Sequence, residues 1–338
     1  MALGASTLLD YAGLAARVAQ LSATLRSADL EPGERIALVA GNTPGYVETL
    51  FACWHAGLTA VPVNSKLHAT ELDYVLEHSG ARWAFADAAW AATLGARAGR
   101  TAALGRVEQF GTGDYAALFA DARMDEPAAV APDDPAWLFY TSGTTGRPKG
   151  AILSHANLRA MSEAFLADVE PVTAGDAIVH AAPLSHGSGL YVVPHVARVA
   201  VNVVPESGGF DAAEVVSLLE AWRNVRLFAA PTMVKRLIGH PALGTARLDR
   251  LASIVCGGAP MYVEDCKAAH AALGSRLAQI YGQGESPMTI TALSRERIAA
   301  AIAASDDARL GSVGVAQRGI ALRIANEDGA ALSAGEIG

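Results

Sequence analysis

WLFYTSGTTGRPKGAIL, residues 137–153, is the stretch from which the rest of the chain is read. An apolar run from Trp137 to Tyr140 has the look of a buried strand. It empties into ten residues, 141–150, that hold three glycines, one proline, four hydroxyls and two cations. Glycines let a backbone turn its N–H groups toward an anion, the hydroxyls of Thr141, Ser142, Thr144 and Thr145 add donors, and Lys149 adds charge. A lysine and a phosphate charge about 4 Å apart attract by roughly 4 kcal/mol at a surface-like dielectric. Ala151 to Leu153 reads as a second strand, so the loop joins strand to strand. Pro148 stands where a Walker loop has its second glycine, which argues against a Walker NTPase. For a loop of this composition alone, a hairpin without ligand is the other reading.

Working outward, strands and helices alternate on both sides. Upstream, Leu14, Val18, Leu21 and Leu25 mark one helix face, and Val47, Leu50, Phe51 and Trp54 mark another. Ile36 to Ala40, Ala60 to Val63 and Arg82 to Ala86 read as strands, and Thr70 with Asp73 as a capping box. Residues 125–135, DEPAAVAPDDP, form a proline-rich acidic connector. Downstream, Ser154 caps a helix whose Leu158, Met161, Phe165 and Val169 share a face, and Asp211 with Glu214 caps another. Strands are expected at Leu227 to Ala230, Leu251 to Cys256 and Leu277 to Tyr281. From Gly311 short strand-like pieces follow, Ile320 to Ala325 among them, around the turn Asn326 to Gly329. The pattern predicts an α/β protein with two doubly wound lobes, roughly residues 1–160 and 161–305, and from 306 to 338 the start of a β-rich third lobe.

The chain has 338 residues, 51% hydrophobic and 18% charged, with net charge −8. That length can bury a large core, and the acidic balance argues against nucleic acid as a partner. Cys53, Cys256 and Cys266 show no C-x-x-C spacing, so a reducing, cytoplasmic setting fits best. The opening MALGASTLLD lacks a signal-peptide pattern. The longest apolar stretch, Leu190 to Val204, is broken by Pro194, His195, Arg198 and Asn202, so no segment is long enough to span a bilayer.

In parallel α/β sheets, ligands collect where strands end. Gly257, Gly258, Ala259 and Pro260 follow one predicted strand, and their small size suits a backbone lying flat against a planar ring, although a glycine pair before a helix is commonly a plain turn. Tyr281, Gly282, Gln283, Gly284 and Glu285 follow the next. A carboxylate there suits Mg²⁺ held jointly with substrate phosphates, or is simply a solvated loop acid.

Taken together and in order, HAGLTAVPVNSKL at 55–67, TSGTTGRPKG at 141–150, PLSHGSGL at 183–190, GGAP at 257–260 and YGQGE at 281–285 resemble the adenylate-forming superfamily, acyl-CoA synthetase type, over nearly the whole chain. The resemblance implies that Thr141, Ser142, Gly143, Thr144, Thr145, Gly146 and Lys149 embrace the ATP phosphates. Gly257 to Pro260 would flank the adenine, Tyr281 would stack on it within the 281–284 turn, and Glu285 would bind Mg²⁺. His186 would be the gate between the carboxylate pocket and the CoA channel. Lys149, His186 and Glu285 are thus the expected catalytic residues. The implied partners are ATP or AMP, Mg²⁺, CoA and a fatty or aromatic carboxylic acid.

Gly284 stands where most members have a threonine that reaches the phosphate. The chain also ends before the family's ribose-binding aspartate and the small domain with the adenylation lysine, so residues 1–338 are expected to bind nucleotide but adenylate poorly. An amino-acid substrate, as in peptide-synthetase adenylation domains, is disfavoured because no acid occurs between Pro183 and Pro205. A non-catalytic nucleotide-binding fragment is the reading from a different class. Gly187, Ser188 and Gly189 either leave depth for a substrate or allow close helix packing.

Overall fold

The computed structural model describes residues 1–99, 103–141 and 147–338. Two sheets organise it. The first has six strands in the spatial order Arg106–Gln109, Trp83–Ala86, Arg35–Val39, Thr59–Val63, Pro135–Thr141 and Lys149–Ser154. The first five run parallel, and the last folds back antiparallel on Pro135–Thr141, with Thr141 opposite Lys149 and Tyr140 opposite Gly150. The 137–153 stretch is therefore a hairpin at one edge of a parallel sheet, as its sequence implies.

The second sheet has nine strands. Its centre is parallel and contains Val201–Val204, Ala177–Val179, Val225–Ala229, Leu251–Cys256 and Leu277–Tyr281; Thr291–Leu293 and Val315–Ala316 extend it antiparallel. Within the expected first lobe, residues 1–160, the opening strands lie elsewhere. Ala2–Leu3 pairs with Val201–Val204 and carries Ser6–Thr7 on its outer edge, so the chain starts in the second sheet before building the first.

Strand alternation explains the layers. Ile36 and Leu38 point into a core shared by both sheets, with Trp137, Tyr191, Phe228 and Val255, whereas Ala37 and Val39 pack outward under the helix Ala69–Ser79. The second sheet buries its far face, Leu227, Ala229 and Ile254 among others, against Ala212–Ala221 and Val263–Leu273. Helix starts follow local chemistry: Ser154 accepts from the N–H of Asn157, and Asp211 from that of Glu214. Two expectations are corrected. The helix at 69–79 is capped two residues earlier than Thr70 with Asp73, because Glu71 reaches back to accept from the N–H of His68. Ile320 to Ala325 is not a strand; only an isolated bridge joins Ala325 to Ala331, and Leu322 and Ile324 stay half exposed with no sheet face to cover them. The turn at Asn326 to Gly329 is present, closed by Gly329 N–H to Asn326 O. No helix among the described residues is long and apolar enough to cross a membrane.

Candidate active site

Three hollows meet where the strands of both sheets end. An apolar cavity of 280 Å³ is walled by Phe139, Leu190, Phe228, Met233, Ile280 and Met288 and edged by His186. A 380 Å³ cleft beside it runs along Gly258 to Met261, Gln279 to Gly282 and Ser312; the two share Gly258, Ile280 and Gly282. A third channel, 470 Å³, is bounded by Asn64, Glu71, Tyr140, Thr141 and Arg147 and shares Phe139 and His186 with the apolar cavity. His186 thus stands in the wall between cavity and channel.

Of the expected residues, Thr141, His186, Gly257 to Pro260 and Tyr281 to Gly284 line these hollows, and Lys149 and Glu285 line none of the three. Cys256 ends its strand in a tight approach to Ala229, and Gly258 follows with φ +84°, a left-handed turn that leaves Gly258, Ala259 and Pro260 exposed along the cleft. Tyr281 closes the cleft's other side, 39% exposed, and its hydroxyl accepts from Gln283 Nε2. Gly284 is buried under the hairpin: a Cβ there would sit 2.5 Å from the Thr141 methyl and 2.7 Å from the Phe139 ring. Glycine at 284 therefore lets the 281–285 turn of one sheet dock on the last residues of Pro135–Thr141 in the other. Lys149 is exposed across from Thr141, and Glu285 is exposed on the turn. Ser142, Gly143, Thr144, Thr145 and Gly146, expected to wrap phosphate, lie outside the described residues. Among the described residues no group of three or more His, Cys, Asp or Glu side chains could hold a metal by itself. Glu285 fits Mg²⁺ only in the way that ion is commonly held, by one carboxylate together with phosphate oxygens.

His186 caps the helix Gly187–Ala197. Its ring stands edge-on to Phe139 at 5.6 Å, its Nδ1 lies 3.0 Å from Ser185 Oγ, and burial pushes its pKa below the ordinary value, so it is neutral at pH 7. Beneath it lies a wholly buried relay. Asn202 Nδ2 donates to Ala200 O, which turns Oδ1 toward His180 Nε2 at 3.0 Å; His180 then carries its proton on Nε2 and accepts from Ser188 at Nδ1, 2.8 Å away. Desolvation lowers the His180 pKa to about 4.

Gly187 and Gly189 prove to be packing glycines. A Cβ on Gly189 would collide with the Leu184 carbonyl and Trp137, and one on Gly187 with the Phe228 ring. Sequence reasoning missed Asn42 altogether. From the loop after Arg35–Val39 it donates to His180 O at 2.7 Å and Ala182 O at 2.8 Å and accepts from Leu184 N–H at 2.8 Å. One buried amide of the first sheet thus holds the segment of the second that delivers His186. Phe139, Phe228, Met233, Ile280 and Met288, the cavity walls, were also missed as a group, since five scattered apolar residues carry no motif.

The AMP-binding enzyme profile matches residues 2–338. A feruloyl-CoA synthase of an Amycolatopsis species is 36% identical over 334 residues, covering 98% of this chain and 64% of that protein. The fatty acid–[acyl-carrier-protein] ligase ScoC of Streptomyces coeruleorubidus is 30% identical over 84% of this chain and 55% of its own length. The ATP-bound crystal structure of MatB from Rhodopseudomonas palustris superposes with a TM-score of 0.84 at 28% identity, covering 99% of this chain and 65% of that one. The chain thus spans between 55% and 65% of the length of these proteins.

Proposed function

The chain belongs to the AMP-binding enzyme family, and on that premise we propose that it binds ATP and a carboxylic acid for acyl-adenylate formation, the acyl group then passing to the thiol of CoA. The observation that carries this reading is the shared wall at Gly258, Ile280 and Gly282: an apolar hollow and a cleft lie side by side, as the acid and nucleotide halves of an acyl-adenylate require.

A carboxylate does not acylate a thiol directly, because its oxygen is a poor leaving group. Attack of a carboxylate oxygen on the α-phosphorus expels pyrophosphate and makes that oxygen part of AMP; CoA sulfur then attacks the acyl carbon and AMP departs with the bonding electrons. In this reading the exposed 258–260 turn flanks the adenine, Tyr281 stacks on it, and Thr141, Lys149 and the 142–146 loop hold the phosphates as charge moves onto pyrophosphate. Glu285 would hold Mg²⁺, which when bound neutralises phosphate charge. Gly284 keeps the turn seated on the hairpin, and Gln283 braces the turn by donating to the Tyr281 hydroxyl and, through its N–H, to Ser286 O. His186, neutral and lining both hollows, gates the path between the acid and the channel assigned to the CoA arm. The buried state of Cys53, Cys256 and Cys266 supports a cytoplasmic setting within the same proposal.

The test is calorimetric titration of residues 1–338 with AMP and with benzoyl- and octanoyl-sulfamoyl adenosine, stable mimics of acyl-adenylates. At least one mimic is expected to bind about tenfold tighter than AMP, some 1.4 kcal/mol. Equal affinities for all three, or no binding, would overturn the proposal.

A further inference from the structure

The acid cavity has a rigid end. Phe228 stands one residue before the end of its strand, with the ring between two glycines: a Cβ on Gly187 would overlap its Cε1 edge, and one on Gly257 would come within 3.2 Å of its Cε2 edge. On its far side the ring stacks on Tyr191, with centroids 5.3 Å apart and 25° between planes, and Tyr191 is itself 1% exposed. Glycine backbone close to both edges and an aromatic ring behind hold Phe228 in place.

The remaining space is small and uncharged. Its 280 Å³ lies just below the roughly 300–1,000 Å³ of typical small-molecule sites. Among the described residues no Asp, Glu, Lys or Arg lines it, so a second carboxylate or an α-ammonium would meet no counter-charge from them. Opposed to Phe228 are the Phe139 ring and the thioethers of Met233 and Met288, groups that pack well against a flat aromatic body.

We propose that the acid is a compact aromatic carboxylic acid, an aryl or arylalkenyl acid with no further charge, and that Phe228 is the residue that sets its length. The inference rests on the adenylation reading of this site. Its test compares cinnamoyl-, hexadecanoyl- and malonyl-sulfamoyl adenosine by titration into residues 1–338. The cinnamoyl mimic is expected to bind at least about tenfold tighter than either other. Phe228→Ala and the milder Phe228→Leu are expected to narrow the cinnamoyl-to-hexadecanoyl ratio by about tenfold, AMP binding serving as the sign of a folded chain. A hexadecanoyl or malonyl mimic that binds as tightly as the cinnamoyl one overturns the inference while leaving the adenylation reading intact. So does an unchanged ratio in a variant that still binds AMP. If neither variant binds AMP, the ranking in the unaltered chain decides. Failure of every mimic and of AMP overturns the adenylation reading, and this inference falls with it.

Discussion

The proposed nucleotide side and the proposed acid side of the site are built in opposite ways. The cleft proposed for nucleotide is lined chiefly by two runs of consecutive residues, 258–261 and 279–282, at and beyond the ends of neighbouring parallel strands. The acid cavity draws Phe139 from one sheet and Phe228 and Ile280 from the other, with Met233 and Met288 from the segments that follow, and His186 from a helix cap. A site of contiguous backbone is readable as a string. A site of converging side chains exists only once the sheets have packed, and its fidelity depends on residues that touch no ligand. Disturbing such residues is expected to damage the acid side more than the nucleotide side.

The largest expected effect is of pH. His180 and His195 are buried and neutral, desolvation lowering their pKa values to about 4 and about 3 against 6.5 in the unfolded chain. Their contribution to stability is complete above pH 6.5. It is lost as pH falls toward 4, because the unfolded state takes up protons that the fold refuses. His180 alone accounts for about 3 kcal/mol over that span. Denaturant titrations at pH 7 and pH 4.5 are expected to show it, with His180→Gln losing less on acidification than the unaltered chain. Because His180 hydrogen-bonds Ser188 behind the acid cavity, acyl-mimic affinity is expected to fall before AMP affinity does; simultaneous loss would erase the contrast.

Next comes Asn42→Ala, which leaves two buried carbonyls and an N–H without their amide partner and is expected to cost about 2–3 kcal/mol. Titrations of the variant should show the acyl mimic weakened and AMP nearly unaffected. Asn42→Asp, which aims a carboxylate oxygen at both carbonyls, is expected to cost at least as much. Lys149→Ala sharpens the comparison from the other side: loss of a charge-assisted contact is expected to weaken ATP by about 1.5–2 kcal/mol and to leave the acyl increment over AMP unchanged. Smallest is Gly284→Ala, whose added methyl meets Thr141 and Phe139 and is expected to lower stability by about 1 kcal/mol, read as a shifted denaturant midpoint.

The same contrast explains what could be read before folding. Heptad-like spacing at Leu14, Val18, Leu21 and Leu25 gave the helix Tyr11–Ser27, in which all four are buried, and the apolar runs gave the strands at 251–256 and 277–281 to the residue. Ser154 and Asp211 were legible as caps because capping is local chemistry. Three things were not legible. The cap fell to His68 with Glu71, two residues before Thr70 with Asp73, a choice between two overlapping i, i+3 pairs. The transfer of Ala2–Leu3 to the second sheet depends on the edge offered by Val201–Val204. Gly187 was ambiguous between depth and packing until Phe228, distant in sequence, was seen against it. In the last two cases the deciding partner is chosen by tertiary packing.

A crystal of residues 1–338 soaked with ATP tests the central claim most directly. The base is expected between the 258–260 turn and Tyr281, with the phosphates running toward Thr141 and Lys149 at the end of the hairpin. Nucleotide density in the apolar cavity or away from both sheet ends would contradict it.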